Sequence, residues 1–170
     1  LGGDAEEKFI QLQPHVFGDK IAFTQTDGKV SVNDLASGRV IASSNAAKLV
    51  SAGVGGNGQV LVVGTHDGVV TAVNSDDGTE AWSINVTSEV VAVAHTDNDL
   101  AVLRTNDNRI LGLSISSGEK LWTVTQTPPA LTLRGASVPI VRDDVIYAGM
   151  DNGKVIAIST QDGNVIWEAR

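Results

Sequence analysis

Short apolar runs rich in valine and isoleucine fill this chain, each broken after a few positions by glycine, asparagine or aspartate. The pattern is clearest near the C-terminus. There Val138 to Val141 precedes the turn Arg142-Asp143-Asp144, and Val145 to Gly149 precedes Asp151-Asn152-Gly153. Lys154 to Ser159 then leads to Gln161-Asp162-Gly163, and Val165 to Glu168 closes the series. Asp-Gly and Asn-Gly between β-branched runs predict hairpins, because these residues accept the positive φ of tight turns. No stretch carries a sustained helical period, so four short strands are expected here and no helix.

The same unit recurs along the chain. Gly28, Gly68, Asn108 and Gly153 form one turn column, and Gly38, Gly78, Gly118 and Gly163 form a second, both at intervals of 40, 40 and 45 residues. Four residues past the second column lie Trp82, Trp122 and Trp167, with Ala42 in the first copy. Four-stranded units repeating at this period predict propeller blades. The expected fold is all-β, with four consecutive four-stranded antiparallel blades over about 12–47, 48–87, 88–127 and 135–170. In the third strand of each blade, Val30, Val70, Ile110 and Val155 share one apolar position, and Val32, Ala72, Gly112 and Ala157 share a smaller one two residues on. Residues two apart share a strand face, so a large and a small side chain alternate where neighbouring sheets meet. In register with these columns, the tryptophans are expected to pack blade against blade; the other reading is a set of ligand-stacking platforms. Four blades of this spacing form about half of a larger propeller, which leaves apolar faces and strand edges uncovered at both ends.

One interval breaks the period. The five extra residues follow Trp122 and fall in the segment from Thr125 to Gly135. Pro128 and Pro129 cannot donate to a strand ladder, so the chain leaves the sheet there. Leu131, Leu133 and Arg134 follow, flanked by Ala130, Thr132 and Gly135. A loop that projects two leucines and an arginine is a candidate contact patch. The alternative, equally open, is that both leucines fold back and seal the rim of the ring.

Composition narrows the function. The net charge is -8, from 12 basic and 20 acidic residues, which disfavours nucleic acid and anionic lipid as partners. Cysteine is absent, which removes disulfides, thiolate metal sites and a cysteine nucleophile. The longest apolar runs, such as Val60 to Val63, fall far short of the roughly 20 residues of a membrane-spanning helix. The small and acidic start, Leu1 to Glu7, is not a signal-peptide pattern, so any export signal or lipid anchor is expected to be missing from this sequence. Gly53 to Gly58 matches G-x-G-x-x-G, but strand-like residues follow it where a dinucleotide site needs a helix, and a turn is expected instead. His15, His66 and His95 show no ligand spacing and are expected in turns or on strand surfaces. Asp76-Asp77 and Asp143-Asp144 are expected to bond their own turns, Asn74 to Glu80 lacks the distal glutamate of a calcium loop, and Asn85-Val86-Thr87 is a glycosylation sequon by pattern alone. No catalytic, metal or cofactor constellation emerges, which favours a binding surface over an active site.

Two resemblances refine this reading. Ala72-x-Asn74-x-x-x-Gly78-x-x-x-Trp82 resembles the tryptophan-docking repeat of quinoprotein-type propellers, with weaker copies at Gly112 to Trp122 and Ala157 to Trp167. The segment Pro129 to Gly135, with Asp151 to Val155, Ile166-Trp167 and Leu12-Gln13-Pro14-His15, resembles the BamB family. That family comprises lipoproteins of the Gram-negative outer-membrane β-barrel assembly machinery. The resemblance implies the first half of an eight-bladed, non-enzymatic scaffold without cofactor or metal, at the periplasmic face of the outer membrane. It would bind the periplasmic domains of BamA, with unfolded outer-membrane proteins as a second class of partner, and aid insertion of β-barrel proteins. It also implies that Leu131, Leu133 and Arg134 contact BamA. Ala42 in place of tryptophan, and the lack of a lipidated cysteine, depart from the family pattern. A fragment of a quinone-dependent dehydrogenase and a propeller for an unrelated protein are the competing readings.

Overall fold

The computed structural model describes residues 12–46, 48–94, 96, 98–127 and 137–170. Sixteen strands form four sheets among these residues, each an antiparallel meander in chain order. Sheet 1 contains β1 (His15–Phe17), β2 (Lys20–Thr24), β3 (Lys29–Asp34) and β4 (Val40–Asn45), and sheet 2 contains β5 (Gly55–Gly56), β6 (Val60–Gly64), β7 (Val69–Asn74) and β8 (Glu80–Asn85). Sheet 3 contains β9 (Val90–Val93), β10 (Leu100–Thr105), β11 (Arg109–Ser114) and β12 (Lys120–Thr125), and sheet 4 contains β13 (Ile140–Arg142), β14 (Val145–Gly149), β15 (Val155–Ser159) and β16 (Val165–Ala169).

Turn chemistry explains the repetition. In the first column the amides of Gly28, Gly68, Asn108 and Gly153 each donate to the carbonyl three residues back, and Asn108 takes the left-handed conformation at φ 61°. Asparagine is one of the few non-glycine residues that visit this region readily, which is why it can replace glycine here. Directly after the third strand's small-residue column, every sheet shows the same register shift: at Val32/Asn33, Ala72/Val73, Gly112/Leu113 and Ala157/Ile158. A repeated β-bulge at one position strongly twists the outer strand of each sheet.

The sheets stack face to face in chain order, and the core lies between them. Val30, Val32 and Ala42 of sheet 1 meet Leu61, Val63 and Val73 of sheet 2. Val62, Val70 and Ala72 then meet Leu103, Leu111 and Leu113 of sheet 3. Val102, Ile110 and Trp122 in turn meet Ile146, Ile156 and Ile158 of sheet 4. Alternate residues of β7 and β11 therefore face opposite neighbours, so both faces of the two inner sheets are apolar. Full burial of one such aliphatic side chain stabilises by about 1.5–3 kcal/mol.

The expected apolar column is buried at Val30, Val70 and Ile110, and Val155 is 43% exposed, in line with the uncovered face expected at the end of the series, because no described sheet follows β16. Other expectations need correction. The fourth sheet's first strand begins at Ile140 rather than Val138, whose side chain packs on the core beside it. The segment Gly53 to Gly58 is not simply a turn. Gly55–Gly56 is strand β5, and a Cβ on Gly55 would lie 2.5 Å from the Ala94 carbonyl, while one on Gly53 would lie 2.4 Å from the Gln13 amide. Glycine here lets backbone from neighbouring sheets touch. His15 is buried in β1 and stacks on Phe17 at 5.2 Å rather than lying on the surface, and His95 lies outside the described residues.

Candidate partner-binding rim

The meander sorts the turns onto two rims. Links β1–β2 and β3–β4, and their counterparts in the other sheets, lie on one rim, and links β2–β3 share the other rim with the connections between sheets. Tryptophan docking occupies the outer part of the first rim. The Trp82 indole N–H donates to the Ile115 carbonyl at 2.6 Å, and its ring lies so close to Gly118 that a Cβ there would sit 2.8 Å away. Trp122 repeats this on sheet 4, donating to the Thr160 carbonyl at 3.0 Å over Gly163. Gly78 faces Ser43, beside Ala42, with 3.1 Å from a hypothetical Cβ to the Ser43 carbonyl. Gly38 meets nothing within 4 Å, and Trp167 is 44% exposed beside Tyr147. Each tryptophan sits across its strand pair from a small residue, as Ala72–Trp82, Gly112–Trp122 and Ala157–Trp167, whereas Ala42 sits across from the larger Val32.

The connection from β12 to β13 belongs to the second rim. Residues 128–136 of it, and with them Pro128, Pro129, Ala130, Leu131, Thr132, Leu133, Arg134 and Gly135, lie outside the described residues. Both flanks are described and both are anchored. Before the loop, the Gln126 amide donates to the Asn108 carbonyl at 3.1 Å and its side chain reaches Glu168 at 3.5 Å. After it, Ser137 Oγ donates to the Gly149 carbonyl at 3.4 Å.

That carbonyl has a second donor. Arg104, only 2% exposed, sends Nη1 to Gly149 O at 2.6 Å and Nη2 to Asp151 Oδ1 at 2.5 Å. A buried guanidinium must be paired to be tolerated, and here its partners lie on the next sheet. The signal was present in the sequence: Arg104 occupies the position of Thr24, Gly64 and Gly149 in the other copies, on the core-facing side of an apolar strand. Sequence reasoning missed it because the partners are defined by stacking between sheets rather than by spacing.

Three further charge pairs lie on this rim. His66 Nδ1 lies 2.5 Å from Glu89, linking sheet 2 to the approach of β9. Arg109 pairs with Asp107 and donates to Thr87 Oγ1 at 3.2 Å. Burial pushes the Asp107 carboxyl up, but bonds from Arg109 and Thr105 outweigh it and leave its pKa lowered. Lys154 bonds Glu168 at 2.6 Å and holds that carboxyl below its ordinary value. On the opposite rim, Asp76 pairs with Lys20 at 2.7 Å and Asp77 bonds its own turn through Thr79. Among the described residues no three histidines or carboxylates gather to hold a metal ion. No helix among them is long and apolar enough to cross a membrane. Among the described residues, this rim carries a polar surface around the two anchored flanks, Gln126 and Ser137.

Known proteins fit this architecture. A curated outer membrane protein assembly factor BamB from Bordetella pertussis is 37% identical over 159 residues, 94% of this chain and 41% of that relative. The crystal structure of BamB from Moraxella catarrhalis superposes with a TM-score of 0.82 at 28% identity, covering 94% of this chain and 48% of that one. A quinohemoprotein alcohol dehydrogenase from Pseudomonas putida reaches 0.74 at 14% identity, covering 95% of this chain and 34% of that one, which shows the propeller fold alone. The chain thus spans less than half the length of the relatives it matches. The family model described as outer membrane protein assembly factor BamB matches residues 13–170, from the approach to β1 through the loop to the last residue, and the chain belongs to that family.

Proposed function

We propose that this chain serves as part of a non-enzymatic scaffold in the outer-membrane β-barrel assembly complex, at the periplasmic face of the outer membrane. It binds the periplasmic domains of BamA through the 128–135 loop and thereby aids insertion of β-barrel proteins. The family match across residues 13–170 carries this reading, because it runs through the one segment that interrupts the repeat. The anchored flanks support it: Gln126 and Ser137 tie the loop ends to sheets 3 and 4, so a docked loop loses less conformational freedom. The dehydrogenase reading has only the shared fold behind it. Joint substitution Leu131→Ala, Leu133→Ala and Arg134→Ala is expected to abolish co-purification with BamA and leave the far-ultraviolet circular dichroism unchanged. Retained co-purification rejects the loop as the contact.

A further inference from the structure

We infer that Arg104 is a positioning residue for partner binding, fixing how far apart the two flanks of the 128–135 loop are held, a role that rests on the reading of that loop as the BamA contact. The first flank is tied to the β10–β11 turn, where the Gln126 amide donates to the Asn108 carbonyl at 3.1 Å. The second is tied to the end of β14, where Ser137 Oγ donates to the Gly149 carbonyl. Arg104 lies on β10, just before that first turn, and its Nη1 donates to the same Gly149 carbonyl at 2.6 Å. Its Nη2 holds Asp151 at 2.5 Å. One side chain thus joins the strand beneath the first anchor to the carbonyl that forms the second.

Stacking alone does not require this pair. Among the described residues no other arginine, lysine, aspartate or glutamate is buried, and sheets 1 and 2, like sheets 2 and 3, meet through apolar side chains. The turn that Arg104 reaches has changed too. Thr65 and Thr105 brace the β6–β7 and β10–β11 turns by donating to Asp67 and Asp107, whereas sheet 4 has Met150 at that position, buried in the core. The β14–β15 turn therefore lacks that side-chain brace and is held from sheet 3 through Asp151. Both departures fall at the junction crossed by 126–139, the longest connection between the described sheets. A buried ion pair adds little stability over apolar residues of similar size, and its best-attested use is to fix geometry. Two anchors held at a set spacing leave the loop less freedom to lose when a partner docks.

Titration of detergent-solubilised BamA with the purified chain tests this, with urea unfolding of every variant measured beside it. Joint substitution Arg104→Met and Asp151→Asn removes both charges, so the urea midpoint should stay close to that of the parent chain. Affinity for BamA should nevertheless fall at least about fivefold, a split that a purely structural role would not produce. Arg104→Lys keeps a charge beside Asp151 but loses the fork that reaches two acceptors, and its affinity should lie in between. It also decides the matter by the same comparison if the paired variant does not fold. The loop substitutions Leu131→Ala, Leu133→Ala and Arg134→Ala serve as the reference. If they abolish binding while the paired variant binds as the parent does, the positioning role is overturned and the loop reading stands. If they leave binding intact, the loop reading falls and the positioning role falls with it. Affinity lost only in step with stability, in the paired variant and in Arg104→Lys alike, also overturns the role, because Arg104 then merely supports the fold.

Discussion

Gly118 and Gly153 have nearly the same left-handed φ, 74° and 77°, but very different surroundings. A methyl on Gly153 meets nothing within 4 Å, whereas one on Gly118 lies 2.8 Å from the Trp82 ring. Gly153→Ala should therefore cost only the left-handed penalty of about 1–2 kcal/mol. Gly118→Ala adds overpacking, for a total of roughly 3 kcal/mol in urea unfolding. Equal losses would show that the indole is not held against the turn. The turn aspartates behave as a group. Hydrogen bonds from Ser37, Thr65, Thr79 and Ser159 hold Asp34, Asp67, Asp77 and Asp162 below the ordinary carboxyl value of 3.8. In the unfolded chain these groups titrate near that ordinary value. Their stabilising contribution is thus complete above it and is lost as pH falls through the lowered folded values. Urea midpoints should be level from about pH 7 to 5 and fall below about pH 4, and the four Asp→Asn substitutions together should flatten that fall.

Between elements, contacts depend on which side chains two sheets bring together. Asp151 partners the buried Arg104 across sheets 3 and 4, so Asp151→Ala leaves a desolvated cation short of its counter-charge. A loss of roughly 3–5 kcal/mol is expected, and a change under 1 kcal/mol in chemical denaturation would sink the assignment. The Val32–Ala42 pair poses a second case. Its equivalents place a small residue across from tryptophan, so sheet 1 has the two sizes exchanged. Ala42→Trp alone should overpack and destabilise by about 1–3 kcal/mol. Val32→Ala alone should leave a cavity. Combined, they should recover at least about 1 kcal/mol relative to the sum, measured by a double-mutant cycle, since the two positions touch.

Across the whole molecule, each sheet packs mainly on its neighbours in the chain, and that arrangement set how much could be read from the sequence. The glycine and tryptophan columns reveal the unit because turn conformation and indole docking are set within forty-odd residues. The loop was legible as an interruption because two adjacent prolines cannot stay in a ladder. Contacts between units were less legible. Arg104–Asp151 and the glycines at 53 and 55 depend on how one sheet lies on the next, and Val155 depends on whether another sheet follows. The repeated bulge also decides where homologous chains can change length. It keeps Trp82 and Trp122 in phase with Gly118 and Gly163, so losing one residue from either outer strand would turn its tryptophan away from the adjoining unit. The intersheet connections, 46–54, 86–89 and 126–139, already differ in length. Insertions and deletions among relatives should therefore collect on the rim that bears the candidate loop, letting that surface diversify while the stack beneath it keeps its frame.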